Sequence, residues 1–131
     1  MDTLIVTKSF NKLIMAKFRF EDLEIWKEAI KISIKIFRIA DGMEAKKLWR
    51  YADQLRGVGM SIPNNISEST GTNMTKEQKQ LLRYSKRECF EAANILVILE
   101  TEELISHELK EELYDRLSVL CRRIEAYSHT L

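Results

Sequence analysis

Apolar residues in this chain recur at alternating spacings of four and three over most of its length, a rhythm that admits little besides long helices. Ile25, Ala29, Ile32, Ile36 and Ile39 form one such seam, and Leu23, Trp26, Ile30, Ile34 and Phe37 run beside it. Placed at helical steps, the apolar arc covers roughly 220° and leaves Lys27, Glu28, Lys31, Lys35 and Arg38 the remaining strip. The isoleucines are β-branched, but strict alternation is absent, so a strand does not account for them. This first helix is expected from Phe20 to Ala40. Asp41-Gly42 is its expected stop, with the glycine in the left-handed position that follows a helix.

A second helix is expected from about Glu44 to Ile66, with Leu48, Ala52, Leu55, Gly59, Ile62 and Ile66 as its seam. Pro63 removes a backbone donor and crowds the carbonyl one turn back, near Gly59. Because the apolar period stays in phase on both sides, a kink is expected rather than a break. Four Gly and one Pro in 131 residues are too few to punctuate a β-sandwich or a loop-rich α/β enzyme. Ser67 to Asn73 reads as a loop, and Thr75 with Gln78 as a capping box opening the third helix. The third seam is Leu81, Ser85, Cys89, Ala92, Leu96 and Leu99, and the stretch from Ile95 to Leu99 is apolar all round. After a polar connection, Ser106 caps a fourth helix whose seam is Leu109, Leu113, Leu117, Leu120, Ile124 and Tyr127. Short connections place consecutive helices side by side. The expected fold is all-α, an antiparallel up-down-up-down four-helix bundle with a kinked second helix. Residues 18–131 form the bundle domain and residues 1–17 an N-terminal extension. Met15-Ala16-Lys17-Phe18 reads as a natural start, so residues 1–14 are expected to be an upstream translated extension.

Cys89 and Cys121 are not in a CxxC pair and both fall on apolar stripes, which reads them as small core residues. No apolar run approaches the ~20 residues of a membrane helix, so a reducing cytoplasm is the expected setting. Trp26, Phe37, Phe90 and Tyr127 read as core aromatics, while Trp49 and Tyr51 flank the second seam. The helices carry more apolar arc than an isolated bundle needs. One reading is a wrapped core with the N-terminal extension as a lid. The other is a homo-oligomer, with Ile25, Ile32, Ile36, Ile39, Trp49, Ile95, Val97 and Ile98 as interface candidates.

No nucleotide-binding, zinc-protease or di-iron motif occurs, and His107 and His129 have no companions. The acidic run Glu100, Glu102, Glu103, Glu108, Glu111, Glu112 and Asp115 lacks the pattern of a calcium loop and reads as a solvated end. No catalytic residue, metal site or cofactor is expected. The net charge is only +1, but residues 1–60 hold 12 basic and 8 acidic groups against 9 and 12 in residues 61–131. Lys27, Lys31, Lys35 and Arg38 line one helix face, and Lys76, Lys79, Arg83, Lys86 and Arg87 another. With Arg56 these are the candidate phosphate contacts, since a strip at helical spacing can follow a nucleic-acid backbone. The competing reading is a solvated face with local ion pairs such as Glu24–Lys27.

Phe20-Glu21-Asp22-Leu23-Glu24-Ile25-Trp26 resembles the opening of the four-helix bundle family of 23S ribosomal RNA intervening-sequence proteins. Gln54-Leu55-Arg56 followed by Ser61-Ile62-Pro63-x-Asn65-Ile66-x-Glu68 is similar to that family's central signature. Glu91 falls at the Glu of its helix-three segment, and Glu103-Leu104-Ile105-Ser106 resembles the Gly-Tyr-Ile-Ser that leads into helix four. The resemblance spans about residues 18–128. Gly57 stands where a second Arg is usual, Ser69 replaces a Gly, and Arg87-Glu88 replaces Gly-Ser. The resemblance implies a homopentameric bundle without an assigned activity. It extends to the retroelement accessory variability determinant proteins, basic pentamers that bind nucleic acid and a reverse transcriptase. The implied partners are copies of itself and RNA or a nucleic-acid-binding protein, with no membrane. A protein-only interaction module is the alternative. Glu68 and Glu91 are carboxylates with an expected structural role, paired within the bundle to Arg56.

Overall fold

In a computed structural model that describes residues 17–131, four helices follow a short 3-10 turn, Arg19–Asp22. They are α1 (Glu24–Ala45), α2 (Trp49–Ser69), α3 (Thr75–Thr101) and α4 (His107–Ser128). No strand occurs among the described residues. Of the proposed extension, residues 1–17, all but Lys17 lie outside them, the start site at Met15 included. α1 packs on α2, α2 on α3, α3 on α4, and α4 closes back on α1. Pairs across α1 and α4 descend in one helix as they climb in the other, as Glu28–Arg116 and Lys35–Glu112 show.

The first turn differs from expectation. Asp41-Gly42 does not stop α1, which continues to Ala45 and takes in Glu44, so α2 begins only at Trp49. Ala40 and Met43 are buried and extend the apolar seam by another turn. That burial outweighs the helix cost of a glycine, about 1 kcal/mol. The chain reverses at Lys47, a non-glycine residue at φ 62°. Leu48 N–H donates to the Met43 carbonyl at 2.9 Å and Lys47 N–H to that of Glu44 at 2.8 Å. The α3–α4 turn repeats this Schellman pattern around Glu103 at φ 60°, with Leu104 N–H on the Leu99 carbonyl at 2.8 Å. Leu48 and Leu104, just past the left-handed residues, both pack on the core.

At its start α3 also departs from the expected box. Met74 is the capping position, and Gln78 reaches back to the Thr72 carbonyl at 2.8 Å. Ser106 caps α4 as expected, accepting from Leu109 N–H at 3.1 Å.

α2 runs unbroken through Pro63. A proline there leaves the Gly59 carbonyl without its helical donor, and Ser33 of α1 supplies one, its hydroxyl donating at 2.6 Å. From the other side, Ser85 of α3 donates to the Ile62 carbonyl at 2.8 Å. Gly59 admits this closeness, because a Cβ there would stand 2.7 Å from the Phe37 ring. Around the crossing, Ile32, Ile36, Leu55, Ile62 and Leu82 are fully buried. In α3 the buried leucine is Leu82 rather than Leu81, so the seam keeps its spacing but starts one residue later.

Candidate nucleic-acid interface

The two basic strips meet different fates. On α1, Lys27 pairs with Glu24 at 3.4 Å, Lys35 with Glu112 of α4 at 2.9 Å and Arg38 with Asp41 at 3.2 Å. Arg56 reaches Asp41 at 3.0 Å and Glu44 at 2.7 Å, so it ties α2 to the end of α1 instead of facing outward. The Arg56 guanidinium, more than Arg38, holds the Asp41 carboxyl below its ordinary value. Lys31 is exposed and makes no ion pair among the described residues.

On α3 the balance reverses. Lys86 pairs with Glu125 of α4 and draws that carboxyl below its usual range. Lys76, Lys79, Arg83 and Arg87 pair with no carboxylate among the described residues. Lys79, Arg83 and Lys86 line a cavity of about 320 Å³ between α3 and the end of α4, with Ser128, His129 and Glu125 opposite. Around the helix, Arg87 and Tyr84 share a second cavity of about 480 Å³ with Asn65, Glu88 and Glu91. In the first cavity Lys79 and Arg83 stand beside Glu125, which also pairs with His129 at 3.2 Å, and the Tyr84 ring in the second is partly exposed.

Tyr84 was not among the sequence candidates, although it lies one residue from Arg83 and three from Arg87 on the basic face. His129 has no companion in the sequence pattern; helix packing brings it beside Lys79 and Lys86. The His129 arrangement is not visible without knowing that α3 and α4 are neighbours.

Several expectations require correction. Ile25, Ile32, Ile36, Ile39 and Ile95 belong to the chain's own core, at most 7% exposed, and offer nothing to a second copy. Trp49, Val97 and Ile98 do remain exposed, joined by Phe18, Met60 and Phe90. Phe90 is 70% exposed and therefore not a core aromatic. Glu68 and Glu91 are exposed, and Arg56 is engaged by Asp41 and Glu44 instead. Burial first, then Glu91, raises the pKa of Glu88. These two carboxylates share a groove of about 330 Å³ with Arg50, Gln54 and Gly57, where a Cβ would meet open space.

Much of the central signature is structural. Ile62, Pro63 and Ile66 are buried, and Asn65 donates its amide to the Ser61 carbonyl at 2.9 Å. Ser69, at the glycine position, is buried with its hydroxyl donating to the Ile66 carbonyl at 2.6 Å.

No cluster of three or more metal-ligating side chains occurs among the described residues, and none of their helices is long and apolar enough to cross a membrane. The fold and this edge define a small all-helical protein with a run of cations along α3 that pair with no carboxylate among the described residues. The chain belongs to the 23S rRNA-intervening sequence protein family, whose model matches residues 21–126. No curated protein matches it.

Proposed function

We propose that the protein is a non-enzymatic bundle that binds or scaffolds RNA or a ribonucleoprotein, gripping phosphates along the α3 edge. The observation that carries this reading is the set Lys76, Lys79, Arg83 and Arg87, four cations at helical spacing with no carboxylate pair among the described residues. A free cation gives up only water and counterions on meeting phosphate, whereas a paired one must also give up its carboxylate. Family membership supports RNA as the polyanion. Lys86 and His129, both held by Glu125, line the first cavity, and Tyr84 supplies a stacking surface in the second. Lys31 is a lesser contact, while Lys35 and Arg56 tie helices together and Lys27 and Arg38 pair within α1. In this reading the molecule works in the cytoplasm as a homo-oligomer, a pentamer by the resemblance, which repeats the edge around a ring.

Filter binding of a structured RNA across a salt series tests it. Replacing Lys79, Arg83 and Arg87 by Gln is expected to flatten the dependence of log affinity on log salt by about 2–3. The same change at Lys27, Lys35 and Arg38 is expected to alter the slope by less than about 1. Equal effects from the two sets, or binding indifferent to salt, would contradict the assignment.

A second reading, a module that docks only another protein, draws on the exposed Phe90, Val97 and Tyr114 around the α3–α4 groove. A pull-down that survives nuclease while the α3 glutamine variant retains full binding would favour it.

A further inference from the structure

Cys89 and Cys121 lie far apart in sequence, yet the packing of α3 on α4 brings them to one place. Both line a groove of about 470 Å³, mostly apolar, flanked by Phe90, Val97 and Tyr114. They differ in accessibility: Cys89 is 1% exposed, whereas Cys121 is half-buried at the groove wall. The Cys121 sulfur sits 3.9 Å from the Lys86 carbonyl, and Arg122 lines the same groove.

We propose that this groove is a redox-modification site in which Cys121 is the attacking thiolate and Cys89 the resolving thiol, a small hydroperoxide being the oxidant. Reactive cysteines are partly exposed and near positive charge, while fully buried thiols are inert until a partner reaches them. The two environments divide in that way. The neighbouring Cys89 side chain, and after it Lys86 and Arg122, lower the pKa of Cys121 against the effect of burial. Cys121, together with burial, raises the pKa of Cys89 and keeps its proton in place. One side chain is thus prepared as the nucleophile and its neighbour as the thiol that follows.

In the first step the Cys121 sulfur attacks the terminal peroxide oxygen. A sulfur–oxygen bond forms, the oxygen–oxygen bond breaks, and alkoxide or hydroxide leaves to take a proton from water. In the second step the Cys89 sulfur attacks the sulfenic sulfur, and the departing hydroxide carries off the Cys89 proton as water. Two thiols are oxidised to one disulfide and one peroxide is reduced to alcohol or water. The bridge covalently links α3 to α4 at the groove wall, about one turn from Lys86 of the basic edge.

The full chain treated with hydrogen peroxide and then mapped by mass spectrometry, without reductant, tests this. The wild-type protein is expected to lose both thiols together and yield a peptide pair joined through Cys89 and Cys121. Cys89→Ala is expected to stop at a sulfenic acid on Cys121 that a dimedone probe traps, and Cys121→Ala to leave Cys89 unmodified. Should either variant lose its helical circular dichroism, the wild-type map decides alone. The proposal is overturned by oxidation of Cys89 before Cys121, by bridges only between molecules, by oxidation of Cys121 without a bridge, or by no oxidation of either thiol.

Discussion

The Pro63 crossing and the α3–α4 groove are built from the same kinds of helix, yet they end in opposite states. At the crossing, the two carbonyls near the proline each receive a hydroxyl from a neighbouring helix, and the surrounding side chains are sealed from water. At the groove, Phe90, Val97 and Tyr114 stay partly in solvent and a half-buried thiol lines the wall. The first region is complete within one chain. The second leaves surface and chemistry unused, and the basic α3 edge adjoins it. Burial is therefore complete where the helices cross and incomplete at the groove.

The largest expected effect comes from breaking the crossing. Ser33→Ala leaves the Gly59 carbonyl buried without a donor and is expected to cost about 1–3 kcal/mol in chemical denaturation. Pro63→Ala restores a backbone donor to that carbonyl, so in its presence the Ser33→Ala cost should shrink. A double-mutant cycle with no coupling would show that the serine serves another purpose.

Next comes the turn that ends the groove. Glu103 holds a left-handed conformation that costs an ordinary residue about 1–2 kcal/mol. Glu103→Gly is expected to recover up to about 1 kcal/mol, read as a higher denaturation midpoint, since glycine's greater unfolded-state entropy offsets part of the relief. A loss of stability would mean that the side chain itself holds the turn. Within the groove, Phe90→Ala is expected to change monomer stability by no more than about 0.5 kcal/mol. A light-scattering mass that falls on this substitution would identify Phe90 as part of a contact between copies; a large stability loss in an unchanged monomer would show that the groove is closed in solution.

The smallest effect is electrostatic. Glu100, with a smaller contribution from Glu111, raises the pKa of His107, while Lys110 opposes them. A value raised in the folded state gives stability that is complete below the unfolded pKa, about 6.5, and lost as pH climbs through the raised value. The α3–α4 turn should therefore loosen slightly on that climb. The His107 ring should titrate by NMR above about 6.5 in the wild type and closer to that value in Glu100→Gln. An unchanged midpoint would remove Glu100 as the cause.

Periodicity made most of the core legible. The buried residues of α4 and most of those of α1 and α2 fall on seams that the spacings mark. Ser33, Ala40 and Met43 of α1 and Val58, Pro63 and Ser69 of α2 lie off them, and in α3 Leu82 takes the place of Leu81 while Ile95 is also buried. Local signals misled where packing outweighed them: Gly42 lies inside α1 because Met43 is worth burying, and Lys47 and Glu103 occupy positions where glycine is the usual signal. The site was less legible because charge neutralisation is a tertiary property. Lys35 is neutralised by Glu112 and Lys86 by Glu125, partners that only helix packing supplies. The same packing joins Cys89 to Cys121 and carries His129 to Lys79.

In the proposed function the α3 edge, and not the α1 strip, meets RNA. Ultraviolet crosslinking of a bound structured RNA, followed by peptide mapping, tests this most directly. Adducts are expected on the α3 segment 76–87, Tyr84 foremost, and on the end of α4 that includes His129. Adducts confined to α1, or spread evenly over the exposed lysines, would contradict it.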